Sequence, residues 1–282
     1  MRILFRQWIA EMSKLMARKR TLMGFAAFIA LELAILLLFK FMGGEKRLAW
    51  FIERQGQQFA HYDSALTLAM IIIGLSIILL GSIYLALVGG DMVAKENEDG
   101  HYRLLLIRPI SRLRLLGVKY LSLAAYSILL VQFICWSSLA LGLILKGWGG
   151  GFFVFMRDPP LLEFHDWSEG LWRFSMGTVT SSLTLLTLST LAFFFSCLPI
   201  KPAAASIAAL TYFLIDRILM ESSFMEDYDD FLLSKHLVCW AYVLRDPIPW
   251  ALIGRGLVTL MAVNASLFVL GHAVFANRDL KS

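Results

Sequence analysis

"DMVAKENEDGHYRLLLIRPISRLRLLGVKY", residues Asp91 to Tyr120, decides how this chain is divided. It lies between two long apolar runs, Leu66–Gly90 and Leu121–Leu145. Its charges forbid a place in hydrocarbon, where an ionised side chain costs at least about 2.5 kcal/mol. Its own apolar stretch, Leu104–Ile107, is far too short to cross a bilayer core about 30 Å thick. The flanking runs are therefore separate elements joined by a polar connection. Within it, Glu98 and Asp99 favour the start of a short helix through its dipole, and Pro109 disfavours helix at Arg108 and ends it. Ser111 is placed to cap a new helix that runs on into the next apolar stretch. The pattern predicts a short helix, Tyr102–Ile107, held across the ends of two spanning helices.

Composition extends the same reading to the whole chain. Its 282 residues are 59% hydrophobic and 17% charged, with mean hydropathy +0.70. Soluble domains carry roughly 25% charged and 45–50% apolar residues, so this is the composition of an integral membrane protein. The net charge of +5 then records topology and contact with anionic lipid, and no nucleic-acid partner is expected. Cys135, Cys197 and Cys239 form no CxxC pair and no metal-ligand spacing with the five histidines, which argues against a disulfide framework or a zinc site.

Six apolar runs have spanning length: Leu22–Met42, Leu66–Gly90, Leu121–Leu145, Phe174–Leu198, Ala203–Met220 and Trp250–Ala276. The first follows about twenty amphipathic residues and is itself long enough to span, so it reads as a retained helix rather than a cleavable signal, with Met1 as the mature start. Lys201-Pro202 separates the fourth and fifth runs so closely that they form a helical hairpin, with Pro202 in the first turn of the fifth helix. With the N-terminus in the cytoplasm, the cytoplasmic connections hold fifteen Lys and Arg and the opposite ones seven. That bias places both termini inside. Phe5, Trp8, Ile9, Met12, Leu15 and Met16 recur at helical spacing ahead of the first span, with Arg2, Arg6, Lys14 and Arg18 mainly off that face. Residues 1–20 thus form a basic amphipathic helix suited to the inner interface, either a topology anchor or an elbow that also touches a cytoplasmic partner. No internal repeat and no soluble domain is visible. The chain is expected to be one all-α membrane domain over 1–282, with a cytoplasmic segment at 91–120 and an external one at 221–249.

"KENEDGHYRLLLIRPISRLRLLGVKY" resembles the cytoplasmic segment between the second and third spans of the ABC-2 class of ABC transporter permeases. Glu96, Glu98, Gly100, Leu105, Leu106, Pro109, Ser111, Arg112 and Lys119 fill the places of a Glu-x-Glu-x-Gly stretch, a Leu-Leu helix, Pro-x-Ser-Arg and a Lys before the next span. His101 stands where that family usually has Thr. The six-span layout, the amphipathic N-terminus and the close hairpin in "CLPIKPAAASIAALTYFL" fit as well, so the resemblance covers the whole chain. It implies a permease subunit, an exporter, in the cytoplasmic membrane of a bacterium. It also implies that Glu96, Glu98, Gly100, Tyr102, Leu105, Leu106, Pro109 and Arg112 meet a separate ATPase subunit through a coupling helix. A second permease copy or a homologous permease would complete the transporter. The chain has no G-x-x-x-x-G-K-[ST] loop, so ATP and Mg would be bound by the partner and this chain is expected not to be an enzyme.

Outside that segment, Glu32 lies mid-span in "FIALELAILLL", where an ionisable group marks either a transport pathway or a buried, hydrogen-bonded structural residue. Asp216-Arg217 reads as a structural pair near the end of the fifth span. Glu221, Glu226, Asp227, Asp229 and Asp230 read as a solvated face, since the Gly and twelfth-position Glu of a calcium loop are missing. "FLLSKHLVCWAYVL" is apolar but short, as an interfacial or re-entrant helix would be. The loop "KGWGGGFFVFMRDPPLLEFHDWSEGLW" reads as a flexible glycine run with an aromatic belt. An intramembrane enzyme is disfavoured by the absence of HExxH, GxSxG and paired carboxylates in the spans. A secondary transporter and a non-transporting membrane anchor for a cytoplasmic complex stay open as alternatives.

Overall fold

The computed structural model describes residues 2–99, 111–157 and 159–277. The amphipathic start is helix α1 (Arg2–Met16), and a turn at Ala17–Arg18 leads into α2 (Lys19–Phe41). Gly43, at φ 70, turns the chain into α3 (Gly44–Arg54), a conformation open to a residue without Cβ. After the single turn α4 (Phe59–Tyr62) comes α5 (Ala65–Ser76), whose cap Ser64 accepts from the Thr67 N–H at 3.3 Å. A five-residue π-helical stretch, Ile77–Gly81, joins α5 to α6 (Ser82–Glu98). Then follow α7 (Arg112–Lys146), strands β1 (Phe152–Met156) and β2 (Leu161–His165), α8 (Trp167–Cys197) and α9 (Pro202–Met220). A 3-10 turn (Ser223–Phe231), α10 (Leu233–Leu237) and a second 3-10 turn (Cys239–Leu244) lead to α11 (Trp250–Asn277).

Five helices, α2, α7, α8, α9 and α11, are each long and apolar enough to cross a membrane, and the chain is a helical, multi-pass membrane protein in its class. The expected second span, Leu66–Gly90, is the α5–π–α6 run. α7 and α8 begin nine and seven residues before the apolar runs that announced them; the side-chain cap of Ser111 rather than hydropathy sets the start of α7, and α8 opens at Trp167 with no side-chain cap.

α8 lies at the centre, packed on α6, α7, α9 and α11, and is the most buried of the five. It is also rich in hydroxyls, which a membrane interior tolerates when they return to the helix backbone. Thr180, Ser182 and Thr190 each donate to the carbonyl four residues earlier, at 2.8–3.0 Å. Small residues let the helices close on one another. A Cβ on Gly89 would stand 2.5 Å from the Ser189 carbonyl of α8, and one on Gly90 would stand 2.9 Å from the Ser206 N of α9.

At the end of the bundle away from α1, the structure departs from expectation. The glycine and aromatic loop contains an antiparallel hairpin, Phe152 opposite His165 and Met156 opposite Leu161, so the described chain is not purely helical. Phe152 and Val154 are buried, with Phe152 edge-on to Phe174, while Trp148 and Phe155 remain exposed. Phe153 is buried as well: β1 carries Phe152 and Val154 into the main core on one face and Phe153 against Ile52 and Tyr62 on the other. Arg173, itself buried, fastens this end by donating to the carbonyls of Val243 and Arg245 and pairing with Glu169 and Asp246. Asp216 accepts from the N–H groups of Leu233 (3.0 Å) and Ser234 (2.6 Å), and so anchors the short elements of 221–249 to α9. Those elements pack on α8 and α11.

Candidate functional site

The residues implied as a partner surface divide into three groups. Gly100, Tyr102, Leu105, Leu106 and Pro109 lie outside the described residues. Glu98 is exposed in the last turn of α6. Glu96 and Arg112 are turned inward, which revises the expectation that they present themselves to a partner. Glu96 is 1% exposed, with its carboxylate paired to Lys14 of α1 and to Lys119 of α7, the latter at 2.6 Å. Arg112 donates to the carbonyls of Phe275 (3.3 Å) and Ala276 (2.5 Å), in the last turn of α11, where a cation complements the helix dipole.

Around Glu96 a network closes. Lys119, also 1% exposed, makes a second ion pair with Glu11 of α1 at 2.8 Å. Arg114 donates to Gln7 at 2.9 Å, and Arg20, at the start of α2, pairs with Asp91 of α6 at 2.5 Å. Tyr84 of α6 donates to the Arg20 carbonyl. Ser111 caps α7 by accepting from the Arg114 N–H at 3.3 Å, in the role its position predicted. Leu15 of α1 is buried beneath these contacts, so α1 is docked on the bundle rather than lying only on an interface.

The electrostatics favour pairing over solvation here. Burying one charge costs several kcal/mol, and removing one member of a buried pair costs about 3–5 kcal/mol because the other is left stranded. Glu96 lies beyond the Leu66–Gly90 run. Burial alone would push its carboxyl up, but the charges and hydrogen bonds of Lys119 and Lys14 outweigh that and hold it below the usual Glu range. Both ends of the 100–110 connection are clamped, α6 through Glu96 and Asp91 and α7 through Arg112, Arg114 and Lys119. A force on that connection is thereby shared among α1, α2, α6, α7 and α11.

Glu11 and Lys14 were missed as members of the site. A signal existed, since Glu11 is the lone acidic residue before Glu32 and sits in a helix otherwise basic. Glu32 is fully buried between α2 and α7, where its Oε1 accepts from Ser137 at 2.8 Å and Ser138 at 3.1 Å. Its Oε2 has no hydrogen-bond partner among the described residues. The three cysteines are free and buried, and no group of three or more His, Cys, Asp or Glu able to hold a metal occurs among the described residues.

The chain is similar to an uncharacterized protein of Bacillus subtilis (strain 168), YhcI, with 23% identity over 210 residues. The match covers 72% of this chain and 65% of the relative, so it spans just under two thirds of that protein's length. The family model described as "Protein of unknown function (DUF2705)" matches residues 31–280, from within α2 to three residues past α11, and the chain belongs to that family.

Proposed function

We propose that this chain is the membrane-spanning permease subunit of an ATP-binding cassette transporter of the ABC-2 class, working as an exporter in a bacterial cytoplasmic membrane. Six helices span, with the α5–π–α6 run as the second, and both termini face the cytoplasm, where the Lys and Arg excess lies. The observation that carries the reading is the clamp on both flanks of 100–110. A loop that only joined two spans would need no buried ion pairs, whereas a handle gripped by a motor needs its flanks tied to the helices it moves. In this reading Glu98, Gly100, Tyr102, Leu105, Leu106 and Pro109 meet the ATPase subunit. Glu96 and Arg112 act behind that surface as positioning residues. ATP and Mg are bound by the ATPase, and a second copy or a homologous permease completes the assembly.

The test is co-purification with an ATP-binding-cassette ATPase subunit, followed by ATP turnover in lipid discs. Replacing Leu105 and Leu106 by Glu abolishes association, while Lys46→Gln, at the opposite end, leaves it intact. Retention of no ATPase by the unaltered chain, or by both versions equally, overturns the reading. Glu32 favours a second reading, a gradient-driven transporter, which predicts transport that persists without ATP and is lost in Glu32→Gln.

A further inference from the structure

A groove of about 410 Å³ opens where α1 turns into α2, against the end of α6. Lys14, Arg18, Lys19, Arg20 and Lys95 line it, together with Asp91, Glu96 and Asp99. Two of those carboxylates are already neutralised within the protein, Asp91 by Arg20 and Glu96 by Lys14 and Lys119. Arg18, Lys19 and Lys95 have no ion-pair partner among the described residues. Against these three cations stands one lining carboxylate without an ion-pair partner among the described residues, Asp99, so the groove is cationic in excess.

Its position selects the anion. Thr21 lines the groove, and the next residues, Leu22 and Met23, are exposed and apolar. Ile3, Phe5 and Ile9 of α1 are exposed as well. The cations thus stand at the edge of an apolar band, the level of lipid phosphates, and apolar side chains line the path that acyl chains would take. A freely soluble phosphate would gain from the cations but not from that apolar edge. No side chain caps the start of α2, and while the Thr21 N–H is taken by the Arg18 carbonyl, the N–H groups of Lys19 and Arg20 remain available to an anion beside the same cations.

We propose that the elbow groove seats the phosphate of an anionic phospholipid, held by Arg18, Lys19 and Lys95. The inference rests on the membrane reading of the chain and is independent of the ATPase partner. Titration of the delipidated full chain in detergent, read by thermal unfolding and native mass spectrometry, tests it with three probes: phosphatidylglycerol, phosphatidylcholine and inorganic phosphate. Phosphatidylglycerol is expected to raise the melting temperature and bind more tightly than phosphatidylcholine, with no shift from phosphate at equal concentration. Each cation removed weakens binding about fivefold, so R18Q/K19Q/K95Q loses about 100-fold, whereas K46Q/R47Q/R54Q retains wild-type affinity. Asp99→Asn, which removes a rim carboxylate, tightens it. Equal binding of both lipids, an equal shift by phosphate alone, undiminished affinity of the first triple variant, or equal loss in the second overturns the proposal. Because these measurements contain no ATPase, their outcome is separate from that of the co-purification.

Discussion

The two ends of the helical bundle are fastened by different means. At the α1 end, helix termini are tied by a few charged side chains: Glu96 to Lys14 and Lys119, Lys119 to Glu11, Arg112 to the last carbonyls of α11. At the other end ion pairs also occur, Lys146 of α7 with Glu45 and Asp63 among them, but they are more exposed, and the chain is closed as well by segments that pack through their own backbone and rings. There the β1–β2 hairpin seats Phe152 against Phe174, and Asp216 holds α10 by two N–H groups. Even the buried cation there, Arg173, spends two of its bonds on carbonyls. Hydrogen bonds to backbone fix a shape. Ion pairs shared among separate helices tie helix to helix through side chains alone.

Cutting single ties sharpens that contrast. Lys119→Met strands Glu96 and Glu11 and should cost about 3–5 kcal/mol, seen as loss of folded, monodisperse protein in detergent. The double variant Lys119→Met with Glu96→Leu should recover most of it, and failure to recover would show that the helices are held by something else. Arg173→Met should cost less, about 1–3 kcal/mol, because Glu169 and Asp246 are 48% and 67% exposed and water takes over their solvation. An equal or larger loss in a thermal-shift comparison would reverse the contrast. Gly89→Val drives a side chain into α8 and should cost a similar 1–3 kcal/mol, whereas Gly117→Ala meets open space and should be silent. Ser111→Ala removes the cap of α7 and should cost about 1 kcal/mol.

Acid provides a further comparison. The Glu96 carboxyl is held below its ordinary value of 4.5 when the chain is folded. Its contribution to stability is therefore complete above about pH 4.5 and is lost as the pH falls through the lower folded value. Unfolding followed from pH 6 downward should show a loss that Glu96→Gln does not share. A variant as acid-sensitive as the parent would place the responsible carboxylate elsewhere.

Much of the architecture could be read from residue order alone, because it depends on local rules. Ser111 at a cap, Pro202 in a first turn and the apolar run of α2 each carry their meaning within a few neighbours. The fate of Glu96 depends on Lys14 and Lys119, far away in the chain, and no local rule says which carboxylate of a cluster turns inward. Asp216 is similar: its partners at Leu233 and Ser234 become neighbours only once 221–249 folds back. The hairpin was legible in principle. "FFVFM" and "LLEFH" are two strand-forming runs around Asp158, Pro159 and Pro160, and the glycines before them drew attention to flexibility instead. α3 carries too few apolar residues to mark it as a span, and only the packing of the fold shows why Ile52 is fully buried.

The π-helical stretch Ile77–Gly81 sets the angular phase of everything that follows it. A π-turn accommodates one residue more than an α-turn, and each residue of a regular helix advances about 100° around the axis. Before the stretch, α5 faces α7, where a Cβ on Gly142 would stand 2.6 Å from the Ala65 carbonyl; after it, Gly89 and Gly90 of α6 face α8 and α9. One continuous helical run is thus indexed to two sets of neighbours. Removing a single residue between 77 and 81 would regularise the run and leave the glycine pair facing nearly as before, whereas winding all five residues as regular α-helix would swing the pair about a quarter-turn away from the helices it admits.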